Sequence, residues 1–157
     1  MSGPIEIREA CLEKEGDVRA LFEILDAYAR GSGGQNAPLS SEARRNLGPG
    51  LRSHPNAFVL FGVLSGRVVG AAVCVWSFST FSGRPSVNLH DFSVLPSAQG
   101  CGIGTALLEE LERRAQERGA VKMTLEVHDT NEAAKRLYER FGFEGWEPKT
   151  LFVSKPL

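Results

Sequence analysis

Apolar and polar residues alternate from Ile5 to Ala10, a period of two that predicts a strand. After Gly16 the period lengthens. Val18, Leu21, Phe22, Leu25 and Tyr28 recur at helical spacing, which predicts a helix to Arg30 with Asp17 as its N-cap. Residues 31–38, GSGGQNAP, read as a loop, and Ser40 with Arg44 and Arg45 predicts a short helix over 40–47. The apolar stretch that follows divides at Ser65-Gly66 into strands over 57–64 and 67–77, joined by a tight hairpin. A second turn at 81–85 leads to a strand over 86–95. Both of its faces are apolar, so it belongs in the middle of a sheet. Ile103, Leu107, Leu108, Leu111 and Ala115 then mark a helix that Gly119 ends. A strand over 121–127, a helix over 131–142 capped by Asn131 and stopped by Gly142, and a last strand at 152–155 complete the chain. The order is β-α-α-β-β-β-α-β-α-β-β, one α+β domain over residues 1–157.

Composition narrows the class. Hydrophobic residues make up 42% and charged residues 24% of 157 positions, an ordinary globular balance. A net charge of -1 gives no general attraction to nucleic acid or anionic lipid, so neither is an expected partner. The first fifteen residues hold four glutamates and no apolar core, unlike a secretory signal. The longest apolar run, Val68 to Trp76, is too short to cross a bilayer. Cys11, Cys74 and Cys101 are widely spaced and read as reduced thiols of a cytoplasmic protein. Three scattered histidines suggest no metal site.

One stretch does not fit a purely structural reading. Gly100, Gly102 and Gly104 open the helix at Ile103, although glycine is a poor helix former. No Gly-Lys-Ser/Thr follows, and the spacing does not match a dinucleotide fingerprint. The first turn of a helix carries unpartnered N–H groups and partial positive charge, and glycines let a ligand approach them. A phosphate group is the expected occupant; a plain tight turn is the alternative.

The segment Gln99-Gly100-Cys101-Gly102-Ile103-Gly104 resembles the Q/R-x-x-G-x-G/A signature of the GNAT superfamily of N-acetyltransferases. Downstream, Asn131, Ala134, Tyr138, Gly142 and Phe143 are similar to that family's N-x-x-A-x-x-x-Y-x-x-x-G-F pattern. The resemblance spans nearly the whole chain. It implies a mixed, strongly twisted sheet of about six or seven strands flanked by four helices, with the fourth and fifth strands splayed.

The resemblance also implies acetyl-CoA as co-substrate. Gln99, Gly100, Cys101, Gly102, Ile103, Gly104 and Thr105 would hold its pyrophosphate. Phe92, Ser93, Val94, Asn131 and Ala134 would line the pantetheine arm beside Tyr138, with a backbone N–H near Phe92 as oxyanion donor. It implies direct attack by an amine while both substrates are bound. Tyr138 becomes the acid for the departing sulfur, although its spacing with Ala134, Leu137 and Phe141 equally fits core packing. His90 stands where several relatives carry a glutamate. It could take the amine proton directly or through water, or be a satisfied polar group in a central strand. Asp91 would bind a cationic amine, and a bulge would be needed to bring the two side chains to one face. Asp26, Trp76, Phe78 and Phe81 would shape the acceptor pocket. The layout is similar to the diamine and polyamine branch, so a small primary amine is the expected acceptor. A protein or peptide amine, or acyl-CoA binding without turnover, are the alternatives. Relatives carry the expectation of a homodimer.

Overall fold

The computed structural model describes residues 3–147 and 150–157. Five strands form one sheet in the order β1 (Ile5–Glu9), β2 (Ala57–Leu64), β3 (Arg67–Ser79), β4 (Arg84–Val94), β5 (Met123–Leu125). The first four are antiparallel neighbours, and β5 joins β4 in parallel. Among the described residues four α-helices flank the sheet: α1 (Glu15–Arg30), α2 (Ser41–Arg52), α3 (Ile103–Glu117) and α4 (Glu132–Arg140).

The sheet is covered on both faces. On one, Leu60, Leu64, Val69, Ala72, Cys74, Val87 and Leu89 pack against Ile103, Leu107, Leu108 and Leu111 of α3, all buried. On the other, Val59, Phe61, Val63, Ala71 and Val73 meet Leu21 and Ile24 of α1. These two sets explain why β2 and β3 are apolar at nearly every position. The start of α3 lies hard against the sheet at Gly62 and Gly70. A Cβ there would stand 2.5 Å and 2.8 Å from the Ile103 side chain, so only glycine permits this approach. The hairpin between β2 and β3 has Ser65 and Gly66 both at positive φ, the geometry of a tight two-residue turn.

Asp17 is not the cap of α1. Lys14 occupies that position, and Asp17 lies inside the first turn. Its carboxylate accepts two hydrogen bonds from the Arg8 guanidinium, both 2.8 Å, and one from the Cys11 N–H at 2.7 Å. It thus fastens α1 to the end of β1, and the Arg8 bonds hold its pKa down at about 2. Asp17→Asn is expected to cost about 1–2 kcal/mol, seen as a lower thermal midpoint at pH 7. A depressed carboxylate stabilises the fold above its unfolded pKa and loses that effect as the pH falls through the folded value. The stabilities of the two proteins should therefore converge between about pH 4 and pH 2.

The α2 helix runs past the predicted end at residue 47, through Gly48 and Pro49. Leu47 and Leu51 packing on the α1 side of the sheet outweighs the lost proline N–H. The chain end also departs from expectation. Among the described residues the sheet has five strands rather than six or seven, and no strand forms at 152–155. Leu151, Phe152 and Val153 are exposed. With three residues, β5 offers a further strand little edge to pair with, and Pro156 has no N–H to give. Among the described residues, no helix is long and apolar enough to cross a membrane.

Candidate active site

The site begins with an irregularity in β4. Cys74 pairs with Leu89 and Val73 with Asp91, so His90 is an extra residue without an opposite number. In a regular strand, residues three apart face opposite ways. Here Leu89 and Phe92 both join the α3-side core, because the bulge absorbs one step. The same step brings His90 and Asp91 together. Their side chains approach to 3.9 Å, Nε2 to Oδ2, and both line one open cleft.

The cleft exists because β4 and β5 part. They pair only at Val87–Met123, Asn88–Thr124 and Leu89–Leu125. Beyond Leu89, no strand among the described residues pairs with the outer edge of β4. The opening has a volume of about 1720 Å³. Phe92, the chain after β5 and the α4 helix form its walls.

Tyr138 reaches this cleft from α4. It is 5% exposed, with its ring 5.9 Å from that of Phe92 and 5.7 Å, edge-on, from that of Phe143. The ring is therefore part of the core, as one of the two sequence readings of Tyr138 has it. Among the described residues its hydroxyl has no hydrogen-bond partner, yet no buried polar side-chain atom is left unsatisfied. The hydroxyl therefore opens onto the cleft. Burial, with Tyr28 nearby, pushes its pKa above the ordinary phenol value, so it keeps its proton at any physiological pH.

A smaller cavity of about 430 Å³ continues from the cleft past Ser93, Val94 and Gln99, with Asn131 on its far side. The Asn131 carboxamide accepts from the Ala134 N–H at 3.3 Å and caps α4. Beyond lies the glycine loop. Gly100 and Gly102 take φ of 77° and 88°, a region that side chains disfavour. Gly102 is the N-cap of α3, with no side-chain cap and no acidic residue in the first turn. Ile103 buries its side chain in the core, so it offers a ligand only its backbone; Thr105 is exposed. An uncapped, acid-free helix start suits a pyrophosphate. The open β4 edge suits an extended arm with amide groups. The residues present therefore fit acetyl-CoA.

Four predicted acceptor residues do not line the cleft. Trp76 stacks on Phe58 at 5.4 Å beneath the Arg118 guanidinium. Phe78 and Phe81 are exposed near the tip of the β3–β4 hairpin. That tip precedes the paired part of β4, while the cleft opens after it, so the tip lies toward the other end of the strand. Asp26 is tied to Arg30 and to the Leu39 N–H, both 2.8 Å, and anchors the loop after α1. Tyr28 was not among the predicted site residues. It ends the apolar stripe of α1, yet its ring lines the cleft, and burial and the Asp91 charge raise its pKa. A tyrosine three residues before the first glycine of a glycine-rich loop was the available signal.

The profile of the Acetyltransferase (GNAT) family matches residues 18–143. The chain is 32% identical to the thialysine N-epsilon-acetyltransferase of Bos taurus, over 90% of this chain and 89% of the relative. It is 31% identical to the [ribosomal protein bS18]-alanine N-acetyltransferase of Haemophilus influenzae, over 57% of each chain. The crystal structure of a ribosomal-protein-alanine N-acetyltransferase from Brucella melitensis superposes with a TM-score of 0.77 at 20% identity, covering 97% of this chain and 99% of that one. The split sheet, the glycine loop and these likenesses agree: the chain belongs to the GNAT family and is an N-acetyltransferase that uses acetyl-CoA.

Proposed function

We propose that the acceptor is the primary amine of a small molecule, of the diamine, polyamine or lysine-like class, acetylated by direct attack with both substrates bound. The observation that carries this is the bulge at His90, which sets an imidazole beside a carboxylate in the cleft that Tyr138 enters. Charge supports it. The cleft walls carry Asp91, Glu112, Glu126, Asp129 and Glu144 against Lys122 and Lys135, and Lys135 is already paired with Asp129 at 2.9 Å. Such a wall favours a cation. The likeness to the thialysine enzyme over most of both chains points the same way.

Acetyl-CoA supplies an activated thioester; this chain's residues hold, orient and move protons. The N–H groups at the start of α3, with Gln99, bind phosphate oxygens. The free edge of β4 from Phe92 to Val94, with Asn131 and Ala134 opposite, aligns the arm. Asp91 draws the ammonium in, and His90 takes its proton directly or through water, leaving a neutral nucleophile. A backbone N–H near Phe92 stabilises negative charge on the carbonyl oxygen. Tyr138 gives its proton to the leaving sulfur.

The test is an amine panel read by release of free CoA thiol: thialysine, lysine, diamines, polyamines and peptides beginning with alanine. The peptides belong there because the Haemophilus relative is an alanine N-acetyltransferase. Turnover of a small amine is expected. Turnover of the peptides alone would replace this reading with protein acetylation.

A further inference from the structure

The cleft and the smaller cavity share three lining residues, Tyr28, Gly33 and Asn131. Tyr28 lies in the last turn of α1, and its hydroxyl donates to the Gly33 carbonyl at 2.7 Å. The Gly33 backbone lies against both neighbours. A methyl at Gly33 would stand 3.4 Å from the Tyr28 ring and 3.5 Å from the Asn131 side-chain nitrogen. The chain around it folds back on the end of α1. The Gly34 N–H donates to Gly31 at 3.1 Å, and the Gln35 and Ala37 N–H groups donate to Ala29 at 2.9 and 3.3 Å. Residues 31–34 therefore reach from α1 toward the start of α4, between the two cavities. The only side-chain bond to this stretch among the described residues comes from Tyr28.

We propose that Tyr28 is a positioning residue: its hydrogen bond to Gly33 holds the 31–34 loop as a wall over the junction of the cleft and the smaller cavity. That the amine meets the thioester in the cleft, with the cofactor arm reaching it through the smaller cavity, rests on the function proposed above. The loop does two things. It walls the cleft close to Asp91, whose charge reaches Tyr28, and so limits the space left to the amine. It also keeps water from the thioester. Where water enters, its oxygen bonds to the acetyl carbon, the carbon–sulfur bond breaks, and acetate and the CoA thiol leave, the thiol having taken a proton.

Tyr28→Phe keeps the ring and removes only the bond to Gly33. Three quantities are measured: KM for thialysine, Kd for acetyl-CoA, and release of CoA thiol without any amine. The lost bond should raise the thialysine KM about threefold to tenfold and the amine-free release by a similar factor. The acetyl-CoA Kd should stay within about twofold and the thermal midpoint should hold. A purely structural tyrosine would instead lower the midpoint and weaken cofactor binding together. Unchanged KM and unchanged amine-free release would overturn the proposal, as would a Kd that rises in step with KM. If the native protein does not acetylate thialysine, the proposed acceptor class fails at that point. The amine-free release still decides the role of Tyr28: faster release in the variant sustains it, and an equal rate overturns it.

Discussion

Tyr138→Phe should lower kcat about a hundredfold while leaving the Kd for acetyl-CoA within about twofold, the usual scale for loss of one positioned acid. The residue is split between two environments. Its ring is held by Phe92 and Phe143 and is 5% exposed, and phenylalanine preserves all of that packing. Only the hydroxyl disappears, and among the described residues it bonds to nothing in the protein. The variant should therefore fold with an unchanged thermal midpoint. Rapid-mixing or steady-state assays separate kcat from binding. Because its pKa is raised, Tyr138 stays protonated below the ordinary phenol value, and it should add no fall in rate between pH 6 and pH 9. An unchanged kcat would remove Tyr138 from proton transfer and leave it a core residue.

Gly102→Val should weaken acetyl-CoA binding at least about tenfold, the loss of one charge-assisted hydrogen bond or more. Gly102 holds φ at 88°, where a β-branched residue is strongly disfavoured. Space is not the obstacle. The nearest atom to an added Cβ would be the Ile5 side chain, at 3.6 Å. The backbone must turn instead, and the first N–H groups of α3 turn with it. Folding stability should fall by only about 1–2 kcal/mol, because the buried stripe of α3 is untouched. Isothermal titration with acetyl-CoA reads the effect directly. Affinity within twofold of the native protein would mean that the loop is a turn and that the phosphates bind elsewhere.

What was legible in the chain follows from how local each signal is. The α3 helix, its stop at Gly119 and the capping of α4 by Asn131 depend on neighbours within a turn, and they formed where the periodicity placed them. The Ser65-Gly66 hairpin is equally local. The bulge at His90 is not. Nothing in Asn88-Leu89-His90-Asp91-Phe92 marks an extra residue; it arises because Leu89 and Phe92 must face one core while β3 keeps its own register. The sequence could state only that a bulge would be needed. The aromatics expected at the acceptor pocket lie outside the cleft for a related reason. Their proximity in sequence to His90 hid the fact that Trp76, Phe78 and Phe81 sit at the far end of the same strand pair. Tyr28 was hidden by its periodicity, which matches a core position although the side chain ends at the cleft. The chain end depended on whether a three-residue β5 gives an edge worth pairing with, and an alternating apolar pattern does not reveal that.

The proposed function stands on the cleft beside the His90 bulge accepting a small cationic amine. Thialysine and an alanine-initiated peptide presented together, at equal concentration, to the native protein with acetyl-CoA would decide it. Product masses give the ratio of the two kcat/KM values. The acetyl group should be found chiefly on the small amine. Acetyl groups confined to the peptide would overturn that reading.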